Sequence, residues 1–220
     1  MKTDTITPQT AQRFYDWLGA KHDFGSGFER QAKDRALELL AADSAQRLLN
    51  VGVGTGKEQR TIQALLPPGG HSFGIDLSGE MLNLTRQRVP ETSLCQANAE
   101  QLPFESRSFD RIFCSYVLDL LGTAVLPQVL SEFHRVLQPG GQLVLVSLTE
   151  GTDAPSKLII GLWKAAYKLH PLTCGGCRPL QLQTLVQQAG FSILQREVVV
   201  QLGVPSEVIL AERSSVISYR

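Results

Sequence analysis

An apolar run delivered straight into alternating glycines, Leu48-Leu49-Asn50-Val51-Gly52-Val53-Gly54-Thr55-Gly56, constrains this chain more than any other feature. Glycine at every second position lets the backbone turn sharply and lets a ligand approach where a Cβ would stand in the way. The segment from Lys57 reads as a helix whose first N–H groups are unpaired and face that turn. Strand, glycine turn and helix, in that order, open a nucleotide-type cofactor site in an α/β sheet.

The spacing separates two classes of ligand. A dinucleotide fingerprint needs G-x-G-x-x-G/A so that a pyrophosphate rests on the helix N-terminus. Counting from Gly52 puts Lys57 at the last position, and counting from Gly54 puts Gln59 there. Asp76 closes the next apolar run, where its carboxylate is able to accept from both hydroxyls of a ribose. Such a pattern suits a cofactor with ribose hydroxyls and no phosphates, a description that S-adenosylmethionine meets. Taken singly, Asp76 also reads as a helix cap and the glycines as an ordinary loop.

The strand and helix rhythm continues along the chain. A helical pattern over 31–42 precedes a strand at 47–51, a helix at 57–66, a strand at 71–76 and a helix capped by Ser78 that reaches 89. Strands follow at 93–97 and 109–115, then a helix at 126–137, the turn Pro139-Gly140-Gly141 and a buried strand at 142–148. This alternation predicts an α/β fold, a Rossmann-like three-layer sandwich on a mostly parallel sheet. Ligands in such folds bind at the carboxyl ends of the strands, where Gly52, Asp76, Asn98 and Ser115 fall. Later, 151–177 reads as a lid or substrate insertion and Arg178-Pro179 as the start of a helix reaching 189. Residues 192–202 and 207–213 read as an antiparallel pair joined by Gly203-Val204-Pro205. All 220 residues are expected in one domain.

Lys+Arg and Asp+Glu balance at 21 each, so no charge excess calls for a nucleic-acid partner. Residues 1–12 lack the apolar core of a signal peptide, and the longest apolar region, near 158–169, is broken by Lys164 and Lys168. A cytoplasmic chain without a transmembrane helix is the expectation. Cys95 and Cys114 sit in apolar runs and read as buried thiols. Cys174 and Cys177 form C-G-G-C, with His170 upstream. Without a second C-x-x-C the motif reads as a flexible glycine turn bearing two free thiols, and no metal is expected.

Four motifs together carry a family resemblance. L-L-N-V-G-V-G-T-G, G-I-D-L-S-G-E-M-L, A-N-A-E-Q-L-P-F followed by S-F-D-R-I, and R-V-L-Q-P-G-G-Q-L-V-L-V resemble class I S-adenosylmethionine-dependent methyltransferases in order and spacing. Within that class the chain looks most like the ubiquinone and menaquinone biosynthesis C-methyltransferases, which share an Asn at the position of Asn98. The resemblance implies a seven-stranded sheet with an antiparallel last strand, and S-adenosyl-L-methionine as cofactor with S-adenosyl-L-homocysteine as product. It implies cofactor contacts at Asn50, Gly52, Val53, Gly54, Thr55, Gly56, Asp76, Leu77, Met81, Asn98, Ala99, Glu100 and Ser115. Phe14-Tyr15-Asp16, within an N-terminal segment 1–30, resembles an element that folds over the cofactor. Asn50 stands where the family usually has Asp or Glu, and Tyr116-Val117-Leu118-Asp119 replaces the arginine-bearing segment of the quinone enzymes.

Methyl transfer from a sulfonium needs no covalent nucleophile, and it needs a base only where the acceptor must lose a proton. Tyr15, His22, Tyr116 and Asp119 are the candidates, with a solvated surface as the competing reading for His22 and core packing for Tyr116. Helical spacing over 156–169 puts Lys157, Lys164 and Lys168 on one face, with Leu158, Ile159, Leu162, Trp163, Ala166 and Leu169 on the remainder. That helix reads as a lid over an apolar acceptor, as a peripheral membrane contact, or as a helix packed on the sheet with its lysines in water. Three functions stay open. One is methyl transfer to a small lipophilic acceptor, such as a quinone precursor or a lipid-like amine. The second is a cofactor-binding, non-catalytic partner of another enzyme, which Asn50 suggests; the third, NAD-dependent oxidoreduction, lacks its third glycine.

Overall fold

Strand β1 (Arg47–Val51) shows how the sheet is covered. Leu48 and Leu49 point to opposite faces and both are fully buried, so an apolar layer must lie on each side. In the computed structural model, which describes residues 5–21 and 27–214, helices supply both layers. On one face Leu48, Phe113, Val144 and Val208 meet Ala32, Ala36 and Leu40 of α2 (Arg30–Leu40) and Ile62 of α3 (Lys57–Leu65). On the other, Leu49, Ile112, Leu143 and Leu145 meet Val129, Leu130 and Phe133 of α5 (Leu126–Val136). The N-terminal helix is α1 (Pro8–Leu18), and α4 (Gly79–Arg88) follows the second strand.

The remaining strands are β2 (His71–Asp76), β3 (Ser93–Gln96), β4 (Phe109–Ser115), β5 (Leu137–Leu148), β6 (Phe191–Gln201) and β7 (Val204–Arg213). They form one seven-stranded sheet in the order β3-β2-β1-β4-β5-β7-β6. Pairing is parallel from β3 to β5 and antiparallel on both sides of β7. The chain leaves β1 in one direction and returns through β4 in the other, so a crevice opens at the carboxyl ends of these two neighbours, where Val51 pairs with Cys114. Ligands of doubly wound sheets bind at such a switch point.

Four local expectations are corrected. The helix expected from Arg178-Pro179 begins later, as α7 (Leu182–Gln188). The N–H of Arg178 is drawn to Asp119 O and that of Leu180 to Leu148 O, which holds this stretch extended, as a residue before proline prefers. The last hairpin turns through Leu202-Gly203, both with positive φ, and Val204 and Pro205 already belong to β7. Strand β5 starts at Leu137 and runs through the Pro139-Gly140-Gly141 expected as a turn, with an irregular register there. Cys95 is exposed, because β3 is an edge strand, whereas Cys114 is buried in the middle of the sheet. Among the described residues no helix is long and apolar enough to cross a membrane.

Candidate functional site

The crevice is a cavity of about 390 Å³ over the ends of β1, β2 and β4. Glycine is required at its floor. Gly52 has φ +72°, and a Cβ there would lie 2.2 Å from Val117 Cγ2. Gly56 has φ +81° and faces Thr85, whose Cα would lie 3.0 Å from an added Cβ, so this glycine admits helix α4 and does not line the cavity. From α4, Thr85 Oγ1 donates to Gly54 O at 2.8 Å, and Arg88 donates to Thr55 O at 2.8 Å and to Thr55 Oγ1 at 2.9 Å. Thr55 therefore lines the cleft with its hydroxyl engaged by Arg88. The glycine turn is braced from behind by α4 and open in front.

Asp76 ends β2 with its carboxylate against this turn. Oδ2 accepts from Gly54 N at 2.9 Å and Oδ1 from Ser78 N at 2.9 Å. Burial pushes its pKa up while the N–H groups of Ser78 and Gly54 pull it down. Two fixed bonds leave each oxygen with acceptor capacity toward the cleft. Leu77, Met81, Asn98, Ala99, Glu100 and Ser115 share the lining. Asn98 turns its own loop by accepting from Glu100 N at 3.0 Å. Ser115 Oγ is buried and has no hydrogen-bond partner among the described residues. Asn50 lines the cleft, but its amide donates to Gln59 Oε1 at 3.0 Å, and Gln59 donates to Thr92 at 3.0 Å. A neutral residue before the glycines thus anchors a buried polar chain.

Helix α1 covers the opening. Its Asp16 accepts from Ser78 Oγ at 2.5 Å and from Glu80 N at 3.3 Å, which ties α1 to the start of α4. Tyr15 faces the cleft and donates to Gly175 O at 3.1 Å. The C-G-G-C turn is held on both flanks, since Trp163 Nε1 donates to Cys177 O at 2.9 Å and Cys177 N to Cys174 O at 3.0 Å. Of residues 151–177, Cys177 alone among the described residues lines the cavity. The helix of this segment, α6 (Ala154–Leu169), stands outside it.

The four candidate bases separate. Tyr15 and Tyr116 line the cleft, and burial pushes both phenols above their usual range. Tyr116 shares a 2.6 Å hydrogen bond with Ser206 and sits at φ +52°, a left-handed conformation costing roughly 1–2 kcal/mol for a residue with a Cβ. Asp119 is fully buried outside the lining, and burial lifts its pKa to about 7. His22 lies outside the described residues. No cluster of three His, Cys, Asp or Glu side chains able to hold a metal occurs among the described residues.

One charged cluster was not foreseen. Lys33 of α2 lies 2.7 Å from Glu29 and 3.4 Å from Glu58, and its ammonium stands 5.5 Å from the centre of the Tyr116 ring. Burial lowers the Lys33 pKa, but Glu58 and Glu29 outweigh it and the net shift is upward. All four side chains line the cleft. The four-residue spacing of Glu29 and Lys33 was a local signal for a helical ion pair; that it faces the strand ends depends on how α2 docks.

Comparison with known proteins places this geometry. Residues 49–145 match the model of a methyltransferase domain. An uncharacterized methyltransferase of Synechocystis is 31% identical over 176 residues, 77% of this chain and 78% of that protein. A ubiquinone/menaquinone biosynthesis C-methyltransferase of Coxiella burnetii is 30% identical over 169 residues, and the match spans 72% of this chain and 65% of the relative's length. In fold, the chain is similar to the N-methyltransferase NodS of Bradyrhizobium japonicum, solved with S-adenosyl-L-homocysteine. The TM-score is 0.72 at 16% identity, covering 93% of this chain and 97% of that one.

Proposed function

Because the chain belongs to the class I S-adenosylmethionine-dependent methyltransferases, we propose that it moves the methyl group of that cofactor to a small apolar acceptor held in the same cleft. The observation that carries this reading is the carboxylate of Asp76, fixed by Gly54 N and Ser78 N at the glycine turn. The cofactor, when bound, supplies an electrophilic methyl on a sulfonium. Asp76 is suited to accept from the two ribose hydroxyls, and Leu77 and Met81 to cover an apolar ring face, with Asn98 and Ala99 at its edge. The unpartnered Ser115 Oγ is a further polar group inside the cleft that fits such a ligand. Glu29, Lys33 and Glu58 offer both signs of charge to an amino-acid end.

The rest of the wall supports the apolar acceptor of this reading. Ile6, Ala11, Phe113, Val117, Leu120 and Leu121 present apolar surface, which favours a quinone precursor or a lipid-like amine over a sugar. Tyr15 and Tyr116 stay neutral phenols, so their role in this reading is to orient the acceptor. Asp119 does not reach the cleft and is not assigned as a base. The chain contributes alignment and exclusion of water, which in favourable cases amounts to roughly 7–11 kcal/mol of the barrier. Calorimetry tests the cofactor half: S-adenosylhomocysteine should bind while NAD does not. Tight NAD binding with no response to S-adenosylhomocysteine would overturn the proposal.

A further inference from the structure

The outer face of α6 carries two parallel stripes. Leu158, Leu162, Ala165 and Leu169 follow one another at intervals of four, three and four residues, and Lys157, Gly161, Lys164 and Lys168 run alongside, each one residue earlier. The inner face buries Ile160 and packs Trp163 against Phe28. The outer leucines gain no such cover: Leu158 is 67% exposed, Leu162 64% and Leu169 88%. Over its 16 residues, about 24 Å, the helix holds three lysines and no acid; Glu150, which pairs with Lys164, and Asp153 precede it.

A second element brings an exposed leucine beside α6. The β6–β7 turn abuts α6, since a Cβ on Gly203 would lie 2.1 Å from Ile159 Cδ1. Its tip is Leu202, at φ +52° and 80% exposed. Two-residue turns with two positive φ angles favour Asn, Asp or Gly at that place. A branched apolar residue there breaks both the conformational and the solubility rule, as residues kept for an interaction do.

We propose that this face docks on an anionic lipid bilayer, the leucines entering the headgroup boundary and the lysines meeting phosphate. Charge decides the occupant. The chain as a whole is neutral, so a local surplus of lysine beside apolar side chains complements an anionic surface, and long lysine stems carry their ammonium groups past the leucines to it. Docking brings the enzyme to an apolar acceptor at its source, and it is independent of which atom is methylated.

The test is co-sedimentation of the full chain with vesicles of phosphatidylcholine, alone and mixed with phosphatidylglycerol. The expected result is binding to the mixed vesicles, weakened at high salt. It should fall at least about tenfold in Lys157→Glu/Lys168→Glu and in Leu158→Ser/Leu162→Ser, while S-adenosylhomocysteine affinity, which reports folding, stays unchanged. Equal binding of the charge-reversed variant, or no binding of the parent chain to either vesicle, overturns the proposal. A dimer in light scattering that the leucine variant abolishes would assign the face to a second copy instead.

Discussion

At the residue scale, Asp76 and Asp119 show how one side-chain type takes two roles by environment. Asp76 has a backbone N–H on each oxygen and faces a cleft. Replacing it with Ala should weaken S-adenosylhomocysteine binding at least about tenfold, or about 1.4 kcal/mol, by calorimetry; full affinity would remove Asp76 from the ribose. Asp119 Oδ2 accepts from Leu148 N, and its Oδ1 is unpaired among the described residues. Its pKa, raised to about 7, makes the folded state hold a proton that the unfolded state has released. Stability therefore falls as pH rises from the ordinary carboxylate range toward 7, by up to about 1.4 kcal/mol per pH unit for this group. Asp119→Asn should flatten that slope in urea denaturation at a series of pH values. Gly56→Ala should cost about 1–3 kcal/mol, because the new Cβ meets the Thr85 backbone at a left-handed φ.

At the element scale, Ser78 links local capping to the cover of the cleft. Its hydroxyl accepts from Met81 N at 3.1 Å as the cap of α4 and donates to Asp16 of α1. Ser78→Ala should lower stability by about 1 kcal/mol and speed tryptic cleavage at Arg13 in α1; an unchanged cleavage rate would show that α1 is held by other contacts. The capping role was legible because Ser78 directly precedes a helical pattern, whereas its bond to Asp16, 62 positions away in sequence, was not. The same division holds elsewhere. Strands β1, β2 and β4 were legible from apolar runs ended by glycine or polar residues. The delayed start of α7 was not, since long-range bonds to Asp119 and Leu148 decide it.

At the scale of the whole molecule, the order of strands converts motifs dispersed over the sequence into one site. Gly52, Asp76, Asn98 and Ser115 meet because four strands end on the same edge of the sheet, a consequence of parallel pairing that strand and helix alternation already predicts. Lys33 and Glu29 were not legible as site residues, because only the docking of α2 over β4 and β5 brings them to the cleft. Segment 151–177 also divides in a way that spacing does not encode: Cys177 reaches the cavity and α6 stands outside, its leucines in water. Fold and cofactor class thus follow from pattern, whereas the proposed acceptor class rests on the apolar wall that folding assembles. The most direct measurement is transfer of a radiolabelled methyl from S-adenosylmethionine to a panel of quinol, lipid-amine, sugar and nucleotide acceptors, with counting of organic and aqueous phases. The proposal predicts label in an organic-soluble product, lost in Asp76→Ala. Label confined to a sugar or nucleotide, or no label in any acceptor despite S-adenosylhomocysteine binding, would contradict it.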